Sequence, residues 1–599
     1  MRKIISECML KGTAASPGIA SGMAYVIDRS QVKIVYRYLQ GDMVAKEEKR
    51  FRKALVDTEK QLTRLKENLP DSIREHAFIL DSHIMMLHDS MIEEATVNRI
   101  NSEKINAEWA LYKSVADVRK IFAEIDDEYI KTRISDVEGV VDRVMRNLVG
   151  GEKQKDLSNV PDGIIVVSND LSPGDTSELN LKKVFGFITD GGGLTSHTSI
   201  LARALNIPAV VGIGSATNEI RDGDFLIIDG STGTVWINPP DDIIFKYSEK
   251  KRIHYEYRTD LLRSSVEPAV TIDGEYIKIR ANVEFIEEIP DIRRHGGEGI
   301  GLYRSEFPIL RSEGRVTEDD LYENYRSVVE LIAPEPINIR TFDLGGDKLV
   351  SPYYIEKEAN PALGLRAIRF CLKNPFLFKA QLRAILRASY KRNVRIVFPM
   401  ITGVCELLEA RQFLEQSKKE LLAEGKNFDQ NISVGIMIEV PASVAIADLL
   451  ARHVDFFSIG TNDLIQYALA SDRGNEHVAY LYQPFHPAIM RMIETVVKSA
   501  IKNEIDVSIC GEMANDPLCV PLLLGMGLRE FSMSARSMPF VKKLIRLLSI
   551  KKTEEFLQET KSCITANGLR TVMEERMKEI LKENNESMLL LYNGDESIH

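Results

Sequence analysis

The sequence predicts a multidomain α/β protein: an α/β domain interrupted by an inserted α-helical bundle, then a (β/α)8 barrel of the TIM type. Three observations lead there. The chain is 599 residues long, several times the ~150 residues usual for one domain, so a single core is excluded. Eight short apolar runs alternate with helix-periodic stretches between residues 277 and 534. Earlier, two glycine-punctuated, β-rich stretches flank a region dense in Lys and Glu and nearly free of glycine.

The elements follow in order. Residues 1–30 include SPGIASGMAYVI, which reads as strand. From about 40 to 150, Phe51, Leu55, Leu62 and Leu65 recur at helical spacing, as do Trp109, Val115, Val118 and Phe122. Strand texture returns in GIIVVS (163–168), VFGFITD (184–190), PAVVGI (208–213), FLIIDG (225–230) and TVWINP (234–239). The simplest arrangement takes its first strand from the N-terminus. Residues 1–30 plus 150–240 then form the α/β domain, with 31–149 as its helical insert. After Pro239-Pro240, residues 241–265 are polar and helix-compatible, a linker. Residues 266–580 hold the barrel, with strands at 277–283, 299–304, 337–343, 394–400, 433–439, 455–461, 506–511 and 529–534. A doubly wound open sheet competes with it, but eight strands in one unit favour closure. Residues 581–599 form a tail.

The formal charge is −11, from 77 basic and 88 acidic residues, the wrong sign for a generic nucleic-acid or acidic-membrane binder. Six cysteines without paired spacing argue against a disulfide framework or a zinc ribbon. Met1-Arg2-Lys3 resembles a signal start, but Glu7 and Lys11 interrupt the apolar run. No window approaches the ~20 apolar residues of a membrane span. The expected location is the cytoplasm, with no membrane insertion and no nucleic acid.

Arg304, Arg340, Asp343, Glu439, Asn462, Asp463 and Cys510 lie at or just past the C-terminal ends of the barrel runs. Barrel chemistry is built at that face, from the ends of several strands. Arg304 and Arg340 offer planar forks for phosphate or carboxylate, and Arg366 and Arg473 add to the same field. Glu439 and Asp463 supply hard oxygen ligands; two carboxylates with substrate oxygens and water is the usual way magnesium is held. The set describes a pocket for a small molecule carrying phosphate and carboxylate, with one divalent cation. A single Arg or Glu would ordinarily be a surface ion pair, and convergence from several strands is what argues otherwise. Cys510 stands open between two readings, a packed small hydrophobe and a general acid; the residue alone favours packing.

A second constellation is GGGLTSHTSILARALNIPAVVG (191–212). Three glycines permit a tight turn, and Thr195, Ser196 and His197 open an amphipathic helix whose N–H groups suit a phosphate. A histidine there can be a nucleophile. The bland reading is a helix cap with an incidental histidine.

GGGLTSHTSILARALNIPAVVG resembles the phosphohistidine signature of the phosphoenolpyruvate-utilising enzymes, and DFFSIGTNDLIQYALASDRGNE resembles their second signature. From SPGIASG to GMGLREFSMS the chain is similar to the Enzyme I family of the bacterial phosphoenolpyruvate:sugar phosphotransferase system. That resemblance implies a swivelling phosphohistidine domain and a phosphoenolpyruvate-binding barrel. It implies transfer of the phosphoryl group to His197 and onward to the phosphocarrier protein HPr, with release of pyruvate. By the same resemblance Arg304, Arg340, Asn462, Asp463 and Arg473 would bind phosphoenolpyruvate. Glu439 and Asp463 would ligate Mg2+, and Cys510 would protonate the enolate. Thr176 would bond the His197 ring, the helical insert around His83 would dock HPr, and the barrel would form a homodimer.

Departures are few. Leu194 stands where the family usually has arginine, RSEF replaces RTEF, and Val440 replaces threonine. Three rivals are weighed. A dikinase or synthase of the same family would need an ATP-binding module, and a nitrogen-branch paralogue a sensory domain. A non-catalytic scaffold is disfavoured by intact His197, Glu439, Asp463 and Cys510. Because His197 and the substrate fall in different domains, residues 241–265 are the expected hinge.

Overall fold

The computed structural model describes residues 8–27, 36–67, 84–124, 160–171, 179–193, 196–205, 207–311, 316–345, 360–472 and 478–584, with single positions in 137–149 and at 358 and 475. His83, Thr176, Leu194, Thr195, Arg473 and the tail from 585 lie outside them. Two compact units divide between Tyr255 and Glu256.

The first unit contains an eight-stranded sheet. Its strands are β1 (Cys8–Lys11), β2 (Thr13–Ser16), β3 (Ile19–Ile27), β4 (Ile164–Ser168), β5 (Val184–Thr189), β6 (Ala209–Val211), β7 (Phe225–Asp229) and β8 (Thr234–Ile237), in spatial order β1-β8-β7-β3-β4-β5-β6-β2. The N-terminus thus contributes three strands, β1 to β3. β3 runs through the centre, parallel to β4 and antiparallel to β7, while β1 and β2 form the two edges. The cause lies in β4: every residue is buried, and the pleat sends Ile164 and Val166 to one face and Ile165 and Val167 to the other. A strand covered on both faces needs neighbours on both edges, and β3 supplies one of them.

The insert packs helices Val44–Glu67, Glu93–Glu103 and Ala107–Glu124 around Phe51, Leu55, Leu62, Ile100, Leu111 and Val115. Phe51, Leu55 and Leu62 return to one face at intervals of four and seven, as a 3.6-residue period requires. Helix Asp241–Ser264 then crosses the boundary between the units. Its first half is tied down by Lys250 Nζ to the buried Asp229 Oδ2 at 2.7 Å and by Trp236 Nε1 donating to Tyr247 Oη at 3.3 Å.

In the second unit, a short β9 (Ala269–Val270) precedes eight parallel barrel strands: β10 (Tyr276–Val283), β11 (Ile300–Tyr303), β12 (Ile337–Arg340), β13 (Val394–Phe398), β14 (Ser433–Ile438), β15 (Phe456–Ile459), β16 (Asp506–Ile509) and β17 (Glu530–Met533). Each pairs in parallel with the next, and β17 and β11 both pair with β10, so the barrel closes. The closed form, not the open sheet, is the one adopted. The strands stop earlier than their apolar runs: β12 ends at Arg340 rather than at 343, where the chain turns out to carry polar groups. Among the described residues no helix is long and apolar enough to cross a membrane.

Candidate active site

Strand ends β11, β12, β14 and β15, with the turn after β16, deliver polar side chains to one rim. Arg340, the last residue of β12, is 6% exposed. Its Nη2 donates to Glu306 Oε1 at 2.6 Å and its Nη1 faces Asp343 Oδ2 at 3.1 Å. Burial alone would lower its pKa, but Glu306 and Asp343 outweigh that and hold the guanidinium above its ordinary value. Arg366 reaches in from the loop before helix Ala367–Lys373. Its Nη2 donates to Asp343 at 3.0 and 3.2 Å and to Asp463 Oδ2 at 3.4 Å. Its Nη1 donates to Tyr467 Oη at 3.0 Å, and that hydroxyl donates to the Ala362 carbonyl at 2.6 Å. Unpaired, such buried charges would each cost several kcal/mol (about 3–5 when one partner is removed); here each has a fixed counter-ion.

The backbone beneath them is braced. Ser305 Oγ donates to the Arg340 carbonyl at 2.5 Å, Gln381 Nε2 donates to Ser305 Oγ at 2.8 Å, and the Phe342 N–H donates to Gln381 Oε1 at 2.9 Å. Thr341 Oγ1, Thr461 Oγ1 and Arg340 Nε are buried polar atoms without a hydrogen-bond partner, which leaves polar capacity at the rim.

Glu439, just past β14, is 2% exposed and accepts the Met400 N–H at 2.6 Å. Met400 presents that N–H from a left-handed conformation, φ +57°. Burial, followed by the negative charges of Asp463 and Asp343, pushes Glu439 up to about 8. A Cβ at Gly460 would stand 2.9 Å from Glu439 Oε2, so glycine keeps that oxygen approachable. Crowded, hard carboxylates of this kind fit a magnesium ion. Among the described residues no group of three or more His, Cys, Asp or Glu is arranged to hold a metal, so substrate oxygens and water would complete the shell, as magnesium tolerates.

Cys510 closes the rim beyond β16. It is 6% exposed, packed with Leu302, Val397, Met437 and Phe456. Burial pushes its thiol up to about 11, against a smaller lowering by Ser458, with Glu439, Arg340 and Arg304 felt through space. Asn462 is held by an exchange with Glu512: its Nδ2 donates to Oε1 at 3.2 Å and its Oδ1 accepts the Glu512 N–H at 2.9 Å. Arg304 pairs with Glu284 on the outer rim.

Arg340, Asp343, Arg366, Asp463 and Glu439 therefore belong to one charge network, and Cys510 and Arg304 lie within its field. Arg366 proves a central strut rather than a mere addition, and Glu306, Met400 and Ser458 were not anticipated at all. Glu306 lay inside RSEF, but nothing in a sequence announces a backbone N–H such as that of Met400.

The other constellation lies in the first unit. β5 ends at Thr189, Gly191–Gly193 make the turn, and His197 is the first residue of helix His197–Leu205. Gly192 adopts φ +89°, which L side chains avoid. Ser199 Oγ donates to the Gly193 carbonyl at 2.7 Å, Ser196 Oγ lies 2.9 Å from Ser199 Oγ, and the Ser196 N–H donates to the Gly193 carbonyl at 3.0 Å. Asp190 anchors the turn from below by accepting the Thr217 N–H at 3.0 Å. The loop thus closes on the strand end with the histidine at the helix start.

Three family models match the chain: PEP-utilising enzyme, N-terminal over residues 11–133; PEP-utilising enzyme, mobile domain over 160–233; and PEP-utilising enzyme, PEP-binding domain over 259–550. The chain is 39% identical to a phosphoenolpyruvate-protein phosphotransferase of Staphylococcus carnosus over 570 residues, covering 95% of this chain and 99% of that protein. It is 39% identical to the one from Bacillus subtilis, covering 95% and 100%. An NMR solution structure of Enzyme I is 37% identical over 41% of this chain and 99% of that one, with a TM-score of 0.37.

Proposed function

The chain belongs to the phosphoenolpyruvate-protein phosphotransferases, the Enzyme I family of PEP-utilising enzymes, and from that premise we propose which of its residues carry the transfer. Arg340, Arg304 and Arg473 bind the phosphate of phosphoenolpyruvate, and Asn462 with the backbone at Asp463 orients it. Glu439 and Asp463 would hold Mg2+, whose chemistry is to neutralise charge on the substrate's oxygens. His197 is the acceptor. Its imidazole, with Nε2 unprotonated, attacks phosphorus through that nitrogen. The N–P bond forms as the bond to the enolate oxygen breaks. Cys510 then gives its proton to C3 of the enolate, releasing pyruvate. A thiol held near 11 is suited to this, because it keeps its proton until the stronger base appears.

One observation carries the reading. Arg340 is buried and Arg366 largely so, each is fixed by carboxylates, and both lie beside the buried carboxylate Glu439, which Asp463 and Asp343 surround with further negative charge. Phosphoryl transfer asks for such fixed charge more than for covalent help.

HPr is the onward acceptor, docking on the helical insert, and the protein works in the cytoplasm. Helix Asp241–Ser264 is the hinge that lets the His197 domain serve both the barrel and HPr. A homodimer through the barrel completes the proposal, and Leu363 and Phe376, 65% and 90% exposed on the barrel unit, are large apolar side chains that a partner could cover. Incubation with labelled phosphoenolpyruvate and Mg2+ tests the core of the proposal. An acid-labile, base-stable adduct is expected in the wild type and none in His197→Gln; label retained in that variant overturns the assignment.

A further inference from the structure

The acid step leaves a thiolate behind, and the surroundings of Cys510 are poorly suited to one. Leu302, Val397, Met437 and Phe456 pack around it, and only 6% of the residue meets solvent. An anion in such a place is costly unless a donor reaches it. Among the described residues, Sγ has two polar neighbours. The Ile459 carbonyl, 3.5 Å away, can only accept, and so can hold the thiol but not the thiolate. Ser458 Oγ, 3.2 Å away and 1% exposed, can donate. The same cysteine is fixed through its backbone: its N–H donates to the Ile459 carbonyl at 3.0 Å. Asn282 Nδ2 donates to its carbonyl at 2.9 Å, and Asn282 Oδ1 in turn accepts Ser532 Oγ at 2.7 Å. These bonds hold the Cys510 backbone in place beside Ser458.

We propose that Ser458 is a positioning residue for proton transfer: its hydroxyl holds Cys510 Sγ and stabilises the thiolate formed when the thiol protonates the enolate. This rests on the assignment of Cys510 as the acid. In the step, the S–H bond breaks and its electron pair stays on sulfur. The proton bonds to C3 through the enolate's π electrons, the oxygen becomes the ketone of pyruvate, and water later returns a proton to sulfur. Ser458 keeps its own proton throughout. Glu439, Arg340 and Arg304 act on the sulfur through space, so Ser458 is the donor in direct contact.

The reverse step gives a clean assay: exchange of pyruvate methyl hydrogens with deuterated solvent on the full-length protein with Mg2+. Ser458→Ala should slow exchange about 10–100-fold, the worth of one hydrogen bond to a charged group. Ser458→Thr, which keeps a hydroxyl, should restore most of it. Methanethiosulfonate labelling of Cys510, read by mass spectrometry from pH 7 to 9, should fall in Ser458→Ala and recover in Ser458→Thr, because labelling follows the thiolate fraction. A merely structural role would not lower that fraction selectively. Unchanged exchange and labelling in Ser458→Ala, with Cys510→Ala inactive in exchange, would overturn the role of Ser458 alone. Undiminished exchange in Cys510→Ala would overturn the assignment beneath it.

Discussion

The barrel rim and the glycine-rich loop before His197 both suit phosphate, yet they are built in opposite ways. The rim is made of ionisable groups: Arg340, Asp343 and Glu439 are buried, Arg366 and Asp463 partly so, and each arginine faces two carboxylates. The loop is made of small neutral groups, with Ser196, Ser199 and the Gly193 carbonyl closing a turn that glycine alone can make at 192. Fixed charge suits a site that must hold a polyanion still while a bond breaks. Neutral donors suit a carrier that must take the group and then surrender it to a second protein, since strong ion pairing would slow release. On the proposed reading, the two sites divide the labour of one reaction.

Breaking a brace in the rim should therefore have the largest effect. Arg340→Ala removes the guanidinium that Glu306 and Asp343 share in the interior, and a loss of about 3–5 kcal/mol is expected in denaturant unfolding of the barrel, together with loss of phosphoenolpyruvate-dependent phosphorylation. Arg366→Lys keeps the charge but loses the fork that joins Asp343 and Asp463; kcat/KM should fall about 10–100-fold with little change in stability. The carrier loop should be more forgiving. Ser199→Ala removes one neutral hydrogen bond worth about 0.5–1.5 kcal/mol, so phosphorylation by phosphoenolpyruvate should fall only several-fold in single-turnover measurement. Should Ser199→Ala prove as damaging as Arg366→Lys, the contrast between charged and neutral construction would fail.

The smallest effect concerns pH. Folding raises the Cys510 thiol from its ordinary 9 to about 11, chiefly through burial. Between those values the folded chain keeps a proton that the unfolded chain has lost, so this group's contribution is intact below pH 9 and disappears as pH climbs toward 11. Unfolding midpoints should decline more gently over that window in Cys510→Ala than in the wild type.

Much of this was legible in the sequence. All eight barrel strands coincide with runs marked by alternation with helical periodicity, because a parallel strand buried on both faces must be apolar throughout. The residues ending those runs were legible too, since a charge terminating an apolar strand has few other places to go. What could not be read was partnership. Whether Arg340 meets Glu306, whether Met400 turns left-handed to offer its N–H to Glu439, and whether Ser458 meets Cys510 are decided by distances across 34, 39 and 52 residues. The separate strands β1 and β2 were blurred by their shortness, with four residues each, too few to display a period.

The resting rim holds its own inhibitors. Any anion approaching Arg340 or Arg366 must displace carboxylates already tethered at contact distance, an effective concentration that no dilute monovalent ion can match. Chloride or acetate should therefore compete weakly at this rim, and a ligand that meets several arginines at once should compete best.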